Sequence, residues 1–148
     1  MKNKISIIIG FMFSIMVCYG QSDNQLNGLL NESIEKHMVN KNLDPVVFLK
    51  DNIPLDFQFS KTIIDNYGVT FFDRSNYRKS ELKEGIRCFR LLPIVLKNNR
   101  VLITIADIFV SGKGNNTIVG SGDYIIYEYK YSCEKKQWEL FDIKSKGI

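Results

Sequence analysis

The sequence is poor in the residue types from which metal sites are built. Its 148 residues include one histidine, His37, and three cysteines. A structural or catalytic zinc ion takes three or four nitrogen, sulfur or carboxylate ligands from the protein, which this set cannot supply. No Gly-x-Ser-x-Gly elbow occurs, and Gly112-Lys113-Gly114 lacks the spacing of a phosphate-binding loop. The sequence therefore predicts no metal site and no cofactor.

An excess of charge of one sign is also lacking. The chain has 20 lysines and arginines against 16 acidic residues, a formal net charge of +4. Two of the basic residues, Lys2 and Lys4, lie in a predicted leader, so the mature chain would carry only +2. No lysine run with interleaved aromatic residues appears. A balance so near neutrality gives no steering towards nucleic acid or anionic lipid, and we expect no nucleic-acid partner.

Residues 1–20 have the layout of a secretory signal peptide. Lys2 and Lys4 make a positive start, residues 5–17 are apolar except for two serines, and Gly20 begins a small and polar stretch. The apolar run is too short to span a bilayer comfortably. We therefore expect export and no membrane span; a buried first strand and a membrane anchor are the alternatives.

Cys18 offers a second way for the exported chain to be processed. The four residues from Ile15 to Cys18 resemble a bacterial lipobox, although Val17 stands where Gly, Ala or Ser is expected. Cys18 is therefore a candidate for lipidation. The predicted location is the periplasm or the extracellular space. If Cys18 is lipidated, the expected form is an outer-membrane lipoprotein.

Two cysteines, Cys88 and Cys133, remain in the mature chain. In an oxidising compartment such a pair often forms a disulfide. Cys88 lies near the start of one predicted strand and Cys133 just after another, two strands apart in a meander. A bridge needs Cα atoms within roughly 7 Å. A disulfide and two buried thiols that behave as small hydrophobes both fit this pattern.

An amphipathic helix is predicted near the start of the mature domain, from about Asn24 to Lys41. One face carries an apolar stripe at helical spacing, made of Leu26, Leu29, Leu30, Ile34, His37 and Met38. A helix with one apolar face must pack on another element, and a sheet is the only candidate large enough. Residues 24–148 are expected to form a single domain.

Short elements are predicted between this helix and residue 84. They are a brief run from Val46 to Leu49, a half-buried strand from Leu55 to Phe59, a helix that Ser60 caps and Gly68 ends, and a strand from Val69 to Phe72. Charged residues from Asn76 to Glu84 indicate a surface segment with about one helical turn.

Four extended runs follow and predict an antiparallel meander. They are Ile86 to Leu96, Val101 to Ser111, Ile118 to Tyr131 and Trp138 to Lys144. The second run is apolar on both faces, which is typical of a central strand. Pro93 cannot donate a ladder hydrogen bond, so it predicts an edge or a bulge in the first run. The fold class is α+β, with the helix packed on a curved antiparallel sheet.

This order of elements resembles the nuclear transport factor 2-like superfamily and, in its layout, the cystatin-like folds. The stretch from Asp123 to Tyr129, followed by Trp138-Glu139-Leu140, carries the resemblance. It is a resemblance of element pattern without a motif. It implies a cone-shaped domain, and the superfamily includes enzymes, binding modules and immunity proteins alike.

The candidate site residues are Asp107, Asp123, Tyr127 and His37. Asp107 interrupts an apolar face of the central strand, and a carboxylate there needs a partner or a cavity. Asp123 and Tyr127 share one face of the next strand, and His37 lies on the helix stripe. Together they could form an acid/base site. The alternative is that Asp107 is bonded to a backbone amide and that His37 is an ordinary residue at the core edge.

Tyrosines are dense in the third run, where Tyr127, Tyr129 and Tyr131 share a face. Tyrosine is favoured at protein interfaces, although it also covers open sheet faces. We therefore predict an exported, non-catalytic binding domain that takes a protein or small ligand on the concave face at Asp107, Tyr127 and Tyr129. The alternatives are an immunity or inhibitor protein against a delivered toxin, an isomerase-like or dehydratase-like enzyme using Asp107 and Tyr127, and a structural envelope component.

Overall fold

The computed structural model describes residues 25–39, 41, 45–113 and 116–147. The predicted signal peptide and the candidate lipidation site at Cys18 lie outside these residues. The described part has a mixed α+β fold with a large, mostly antiparallel sheet that does not close. Within it, no helix is long and apolar enough to cross a membrane.

Three α-helices occur in the described residues. They are α1 (25–38), α2 (Lys61–Tyr67) and α3 (Lys79–Glu84). The Ser60 hydroxyl accepts a hydrogen bond from the Ile63 amide, and Gly68 ends α2 with a left-handed backbone at φ 53°, where glycine is favoured. These bounds confirm the predicted helix between Ser60 and Gly68. A 3-10 turn, Arg74–Asn76, precedes α3.

Seven strands of the described chain form one sheet. They are β1 (Val47–Phe48), β2 (Thr70–Phe71), β3 (Ile86–Leu91), β4 (Val95–Lys97), β5 (Arg100–Lys113), β6 (Asn116–Ser132) and β7 (Gln137–Lys146). Their order is β2-β1-β3-β5-β6-β7, and β4 also pairs with β5. The two pairs that involve β1 are parallel, and the others are antiparallel.

Two sequence predictions need correction. The run from Ile86 to Leu96 is not one strand, because β3 and β4 pair separately with β5 on either side of Pro93. The stretch from Leu55 to Phe59 is not a strand, because it pairs with no other segment in the described chain. Phe57 and Phe59 nevertheless pack against the core, so burial alone explains their alternating pattern.

Apolar side chains are buried on both faces of β5, as the sequence predicted. Ile103 and Ile105 belong to a core cluster that also contains Leu30, Ile34 and Met38 of α1. We call this side of the sheet the helix-bearing face. The opposite face has a smaller cluster made of Val47, Cys88, Ala106, Ile108 and Val110.

A β-bulge interrupts the pairing of β5 with β6 beside Asp107. Ala106 pairs with Tyr124 and Ile108 pairs with Ser121, so two residues of β6 lie opposite one residue of β5. Gly122 is one of the two. A Cβ atom at Gly122 would lie 2.3 Å from the carbonyl oxygen of Asp107, so only glycine allows this approach.

Candidate functional site

Asp107 lies at the centre of a polar cluster between α1 and the sheet. His37 Nε2 is 2.7 Å from Asp107 Oδ1, and both side chains are almost fully buried. The other carboxylate oxygen, Oδ2, accepts hydrogen bonds from Lys41 Nζ and from an Arg87 guanidinium nitrogen, each at 2.6 Å. One carboxylate therefore ties together the end of α1, the residue Lys41 beyond it, and strands β3 and β5.

The local sequence explains how these groups meet. His37 lies on the apolar stripe of α1, and its ring packs edge-on against Phe89 at 5.0 Å. Arg87 is two residues before Phe89 on β3, so both side chains point to the helix-bearing face. Arg87 pairs in register with Phe109, the next residue after Asp107 on that face of β5.

Two tyrosines extend the cluster along β6. The Tyr127 hydroxyl lies 3.2 Å from His37 Nδ1. Two residues further on, the Tyr129 hydroxyl lies 2.9 Å from Ser33 Oγ, and Ser33 Oγ donates to the Leu29 carbonyl at 2.8 Å. Each buried hydroxyl thus has a partner, as burial of a polar group requires.

The surroundings change the acidity of the carboxyl and phenol groups. Burial raises the pKa of the Asp107 carboxyl, but the hydrogen bonds from His37, Lys41 and Arg87 outweigh burial and hold that pKa well below its usual range. Burial raises the pKa of Tyr129 to about 12 and moves the pKa of Tyr127 further above its ordinary value. At neutral pH Asp107 is therefore a carboxylate, and both tyrosines are neutral.

This arrangement is poorly suited to proton transfer by Asp107. A general base works best with a pKa near the operating pH and with an oxygen free to take the proton. Both oxygens of Asp107 accept hydrogen bonds, and its lowered pKa keeps the carboxylate ionised even in acidic solution. The arrangement suits an anchor that holds two cations in place.

An exposed surface lies beside the cluster on the helix-bearing face, where β5 and β6 continue past Asp107 towards Lys113 and Asn116. Phe109 lies opposite Arg87, and Ile118 pairs with Ser111, two residues along from Phe109. Both apolar side chains are exposed, and the Arg87 and Lys41 side chains are partly exposed. We call the set Lys41, Arg87, Phe109 and Ile118 the open-end surface. Lys41 and Arg87 share one carboxylate, so the described residues of this surface carry a surplus of positive charge.

The structure brings together three of the four candidate residues. His37, Asp107 and Tyr127 meet, as the faces of their elements predicted. Asp123 does not join them: it is exposed, because the bulge at Gly122 breaks the regular alternation. Tyr127 and Tyr129, predicted to bind a ligand, are buried beneath α1 side chains.

Sequence reasoning missed Lys41, Arg87 and Ser33 as members of the cluster. Arg87 alternates with Phe89, which marks the face of its strand. Its position opposite Phe109, however, depends on the register between β3 and β5, for which the sequence has no signal. Ser33 lies one turn before His37 on α1, and that spacing could have suggested it.

A second buried carboxylate, Glu128, lies on the opposite face of the sheet. It pairs with Lys144 at 2.7 Å and with Arg100. The hydrogen bonds from Lys144 and Arg100 lower the pKa of the Glu128 carboxyl. Arg100 also stacks over the exposed ring of Phe141, 4.7 Å from its centroid. Sequence reasoning did not single out this group.

The two cysteines of the described chain are free. Cys88 is buried in the smaller cluster, and Cys133 is exposed in the turn between β6 and β7. Burial raises the pKa of the Cys88 thiol to about 11, so it stays protonated and unreactive at neutral pH. The disulfide that the sequence allowed is not formed in this structure.

Three surface pockets lie away from the Asp107 cluster. Their volumes are about 300, 250 and 360 Å³, and neither Asp107 nor Tyr127 lines any of them. The pocket of 250 Å³ lies on the opposite face, over Ala106 and Tyr124. In the part of the chain that the structure covers, no three His, Cys, Asp or Glu residues are grouped so that they could hold a metal ion.

Comparison of the chain with protein-family models, with curated proteins and with solved structures gave no match. The resemblance to the nuclear transport factor 2-like superfamily stays a prediction from the order of the elements.

Proposed function

We propose that this protein is an exported, non-catalytic binding domain whose ligand is anionic and partly apolar and binds at the open-end surface. In this proposal α1 fills the concave side of a curved sheet, as in nuclear transport factor 2-like and cystatin-like proteins. The ligand then contacts the part of the same face that α1 leaves uncovered. The binding site is thus displaced along the sheet from the predicted residues Tyr127 and Tyr129.

One observation carries this proposal: two cations that share a single carboxylate lie beside two exposed apolar side chains. Lys41 and Arg87 both donate to Asp107 Oδ2, so among the described residues of the cluster one positive charge has no counter-charge. Phe109 lies directly opposite Arg87 and provides apolar area next to that charge. A carboxylate attached to a hydrocarbon group fits both features.

The state of Asp107 supports a binding function over catalysis. Its carboxylate is held ionised by three donors, so it does not offer the shifted, near-neutral acidity that a catalytic acid or base needs. It does offer pre-organisation, because it fixes Lys41 and Arg87 before the ligand arrives. Fixed side chains lose less conformational entropy on binding.

The proposal is tested with two probes that differ only in charge, octanoate and octylammonium. Amide chemical shifts of the ¹⁵N-labelled protein are followed during each titration. We expect octanoate to shift the resonances around Phe109 and Ile118, with saturation in the millimolar range, and octylammonium to leave them unchanged. Equal responses to both probes, or no response to octanoate at about 10 mM, would contradict the proposal.

A matched pair of variants locates the surface. Ile118 and Val119 are neighbours on β6 with side chains 48% and 44% exposed, and they lie on opposite faces of the sheet. Ile118→Asp should abolish the octanoate response, because it puts a negative charge and a polar group on the open-end surface. Val119→Asp should leave the response intact. The opposite result would place the ligand on the other face.

A further inference from the structure

Strand β7 is a long edge of the sheet. It spans Gln137–Lys146 and stands last in the strand order, so among the described residues it has one neighbouring strand, β6. At roughly 3.3 Å per residue, such an edge presents backbone N–H and C=O groups over about 30 Å. The other end of the sheet is β2, which has only two residues.

A bulge at Phe141 divides β7 into two halves of opposite phase. Leu140 pairs with Tyr129 and Asp142 pairs with Glu128, so Phe141 is an extra residue in the ladder. Leu140 therefore lies on the helix-bearing face, like Tyr129, whereas Asp142 lies on the opposite face, like Glu128. Even-numbered residues therefore lie on the helix-bearing face before Phe141 and on the opposite face after it, and odd-numbered residues do the reverse.

Because the side chains change face at the bulge, two antiparallel copies of β7 can place complementary side chains opposite each other on the same face. Before the bulge, Glu139 is on the opposite face and Leu140 on the helix-bearing face. After it, Lys144 is on the opposite face and Ile143, which pairs with Tyr127, is on the helix-bearing face. Each face thus carries a matched pair, one charged and one apolar.

We propose that β7 is a homodimer interface, in which it pairs antiparallel with β7 of a second copy of this chain. The two-fold axis passes between residues 141 and 142. In this register Glu139 lies opposite Lys144 of the second copy, and Leu140 lies opposite Ile143 of the second copy. Symmetry forms each contact twice, as an isologous interface requires.

Neighbouring registers lose these contacts. A shift of one residue places Leu140 opposite Asp142 or Lys144 of the second copy, whose side chains point to the other face. A shift of two residues places Glu139 opposite Asp142 of the second copy, which is repulsive, or Leu140 opposite Ser145 of the second copy. The charge pattern and the faces therefore select one register.

The groups needed for this contact remain accessible. Glu139 pairs with Lys135 at 2.6 Å and Lys144 pairs with Glu128 at 2.7 Å, but both Glu139 and Lys144 are partly exposed. Charged side chains often protect a strand edge from self-association. Here charges of opposite sign stand at positions that the two-fold axis brings together, so they favour pairing.

Sedimentation equilibrium of the purified protein, expressed from the full-length sequence, tests the proposal. We expect a reversible dimer whose fraction rises with concentration up to roughly 1 mM. Glu139→Lys should shift the species towards monomer by tenfold or more in dissociation constant, because it places a lysine opposite Lys144 of the second copy. Glu134→Lys, the same charge change in the exposed turn before β7, should leave the dimer unchanged.

An apolar pair of variants gives an independent reading. Ile143 and Ile64 are 48% and 50% exposed, but Ile64 belongs to α2 and not to strand β7. Ile143→Asp should give a monomer and Ile64→Asp a dimer, with circular dichroism reporting on the fold. If Ile143→Asp does not fold, the Glu139→Lys result decides. A wild-type monomer at all concentrations, or a dimer that survives Glu139→Lys, would overturn the proposal.

Discussion

His37 Nε2 and Asp107 Oδ1 lie 2.7 Å apart, although the two residues are 70 positions apart in the chain. The contact joins the last turn of α1 to the central strand β5. Their side chains are only 1% and 9% exposed, so water does not compensate for the loss of either partner. This buried contact therefore ties the last turn of α1 to β5.

Replacement of Asp107 should destabilise the protein strongly. Asp107→Asn keeps the size of the side chain but removes the charge that holds His37, Lys41 and Arg87. We expect a loss of about 3 kcal/mol in the free energy of unfolding, since breaking a buried ion pair leaves other charges uncompensated. Urea denaturation measures it. Asp123→Asn is the control: Asp123 is exposed on the neighbouring strand, and we expect a change within about 0.5 kcal/mol.

The stabilisation from Asp107 should depend on pH in the acid range. The folded-state pKa of Asp107 is lowered, whereas the unfolded value is about 3.9. The contribution is therefore complete above about pH 5 and is lost as the pH falls through and below 4. The stability difference between wild type and Asp107→Asn should shrink over that range. A difference that stays constant down to about pH 2 would show that Asp107 is not held ionised.

The two glycines near the β6 bulge should differ sharply when replaced by alanine. At Gly122 a Cβ atom would lie 2.3 Å from the Asp107 carbonyl oxygen, so β5 and β6 would have to separate. We expect Gly122→Ala to cost about 1–3 kcal/mol or more. At Gly120 the nearest atom would be at an ordinary 3.6 Å, and alanine should be neutral or slightly stabilising. Thermal unfolding of both variants measures the contrast.

The two cysteines should differ in their reaction with iodoacetamide. Cys133 is exposed and should be alkylated in the native protein, whereas Cys88 is buried with a raised pKa and should react only after unfolding. Peptide mapping by mass spectrometry identifies the labelled residue. Protection of both thiols that disappears on reduction would indicate a disulfide in the exported protein instead.

Hydrophobic periodicity predicted the elements that form the core. The stripe from Leu29 to Met38 predicted α1, and alternation along Val101 to Val110 predicted the doubly buried strand β5. It also placed His37, Asp107 and Tyr127 on facing surfaces. These predictions succeed because the side-chain period depends only on the type of element.

Features that depend on pairing could not be predicted in this way. Arg87 reaches Asp107 because of the β3–β5 register, and Asp123 turns away because of one extra residue in β6. The alternation from Leu55 to Phe59 matches a strand, yet that segment packs its phenylalanines without a partner strand. Register, bulges and pairing are set by contacts between distant segments.

The octanoate affinity of Arg87→Gln tests the central claim most directly. Arg87 and Lys41 share the Asp107 carboxylate, so loss of the guanidinium removes the surplus positive charge beside Phe109. Octanoate should then bind roughly threefold to tenfold more weakly than it binds to wild type. Titration calorimetry at a temperature where the variant is folded measures the affinity. Binding of octanoate by Arg87→Gln as tight as by wild type would contradict the account.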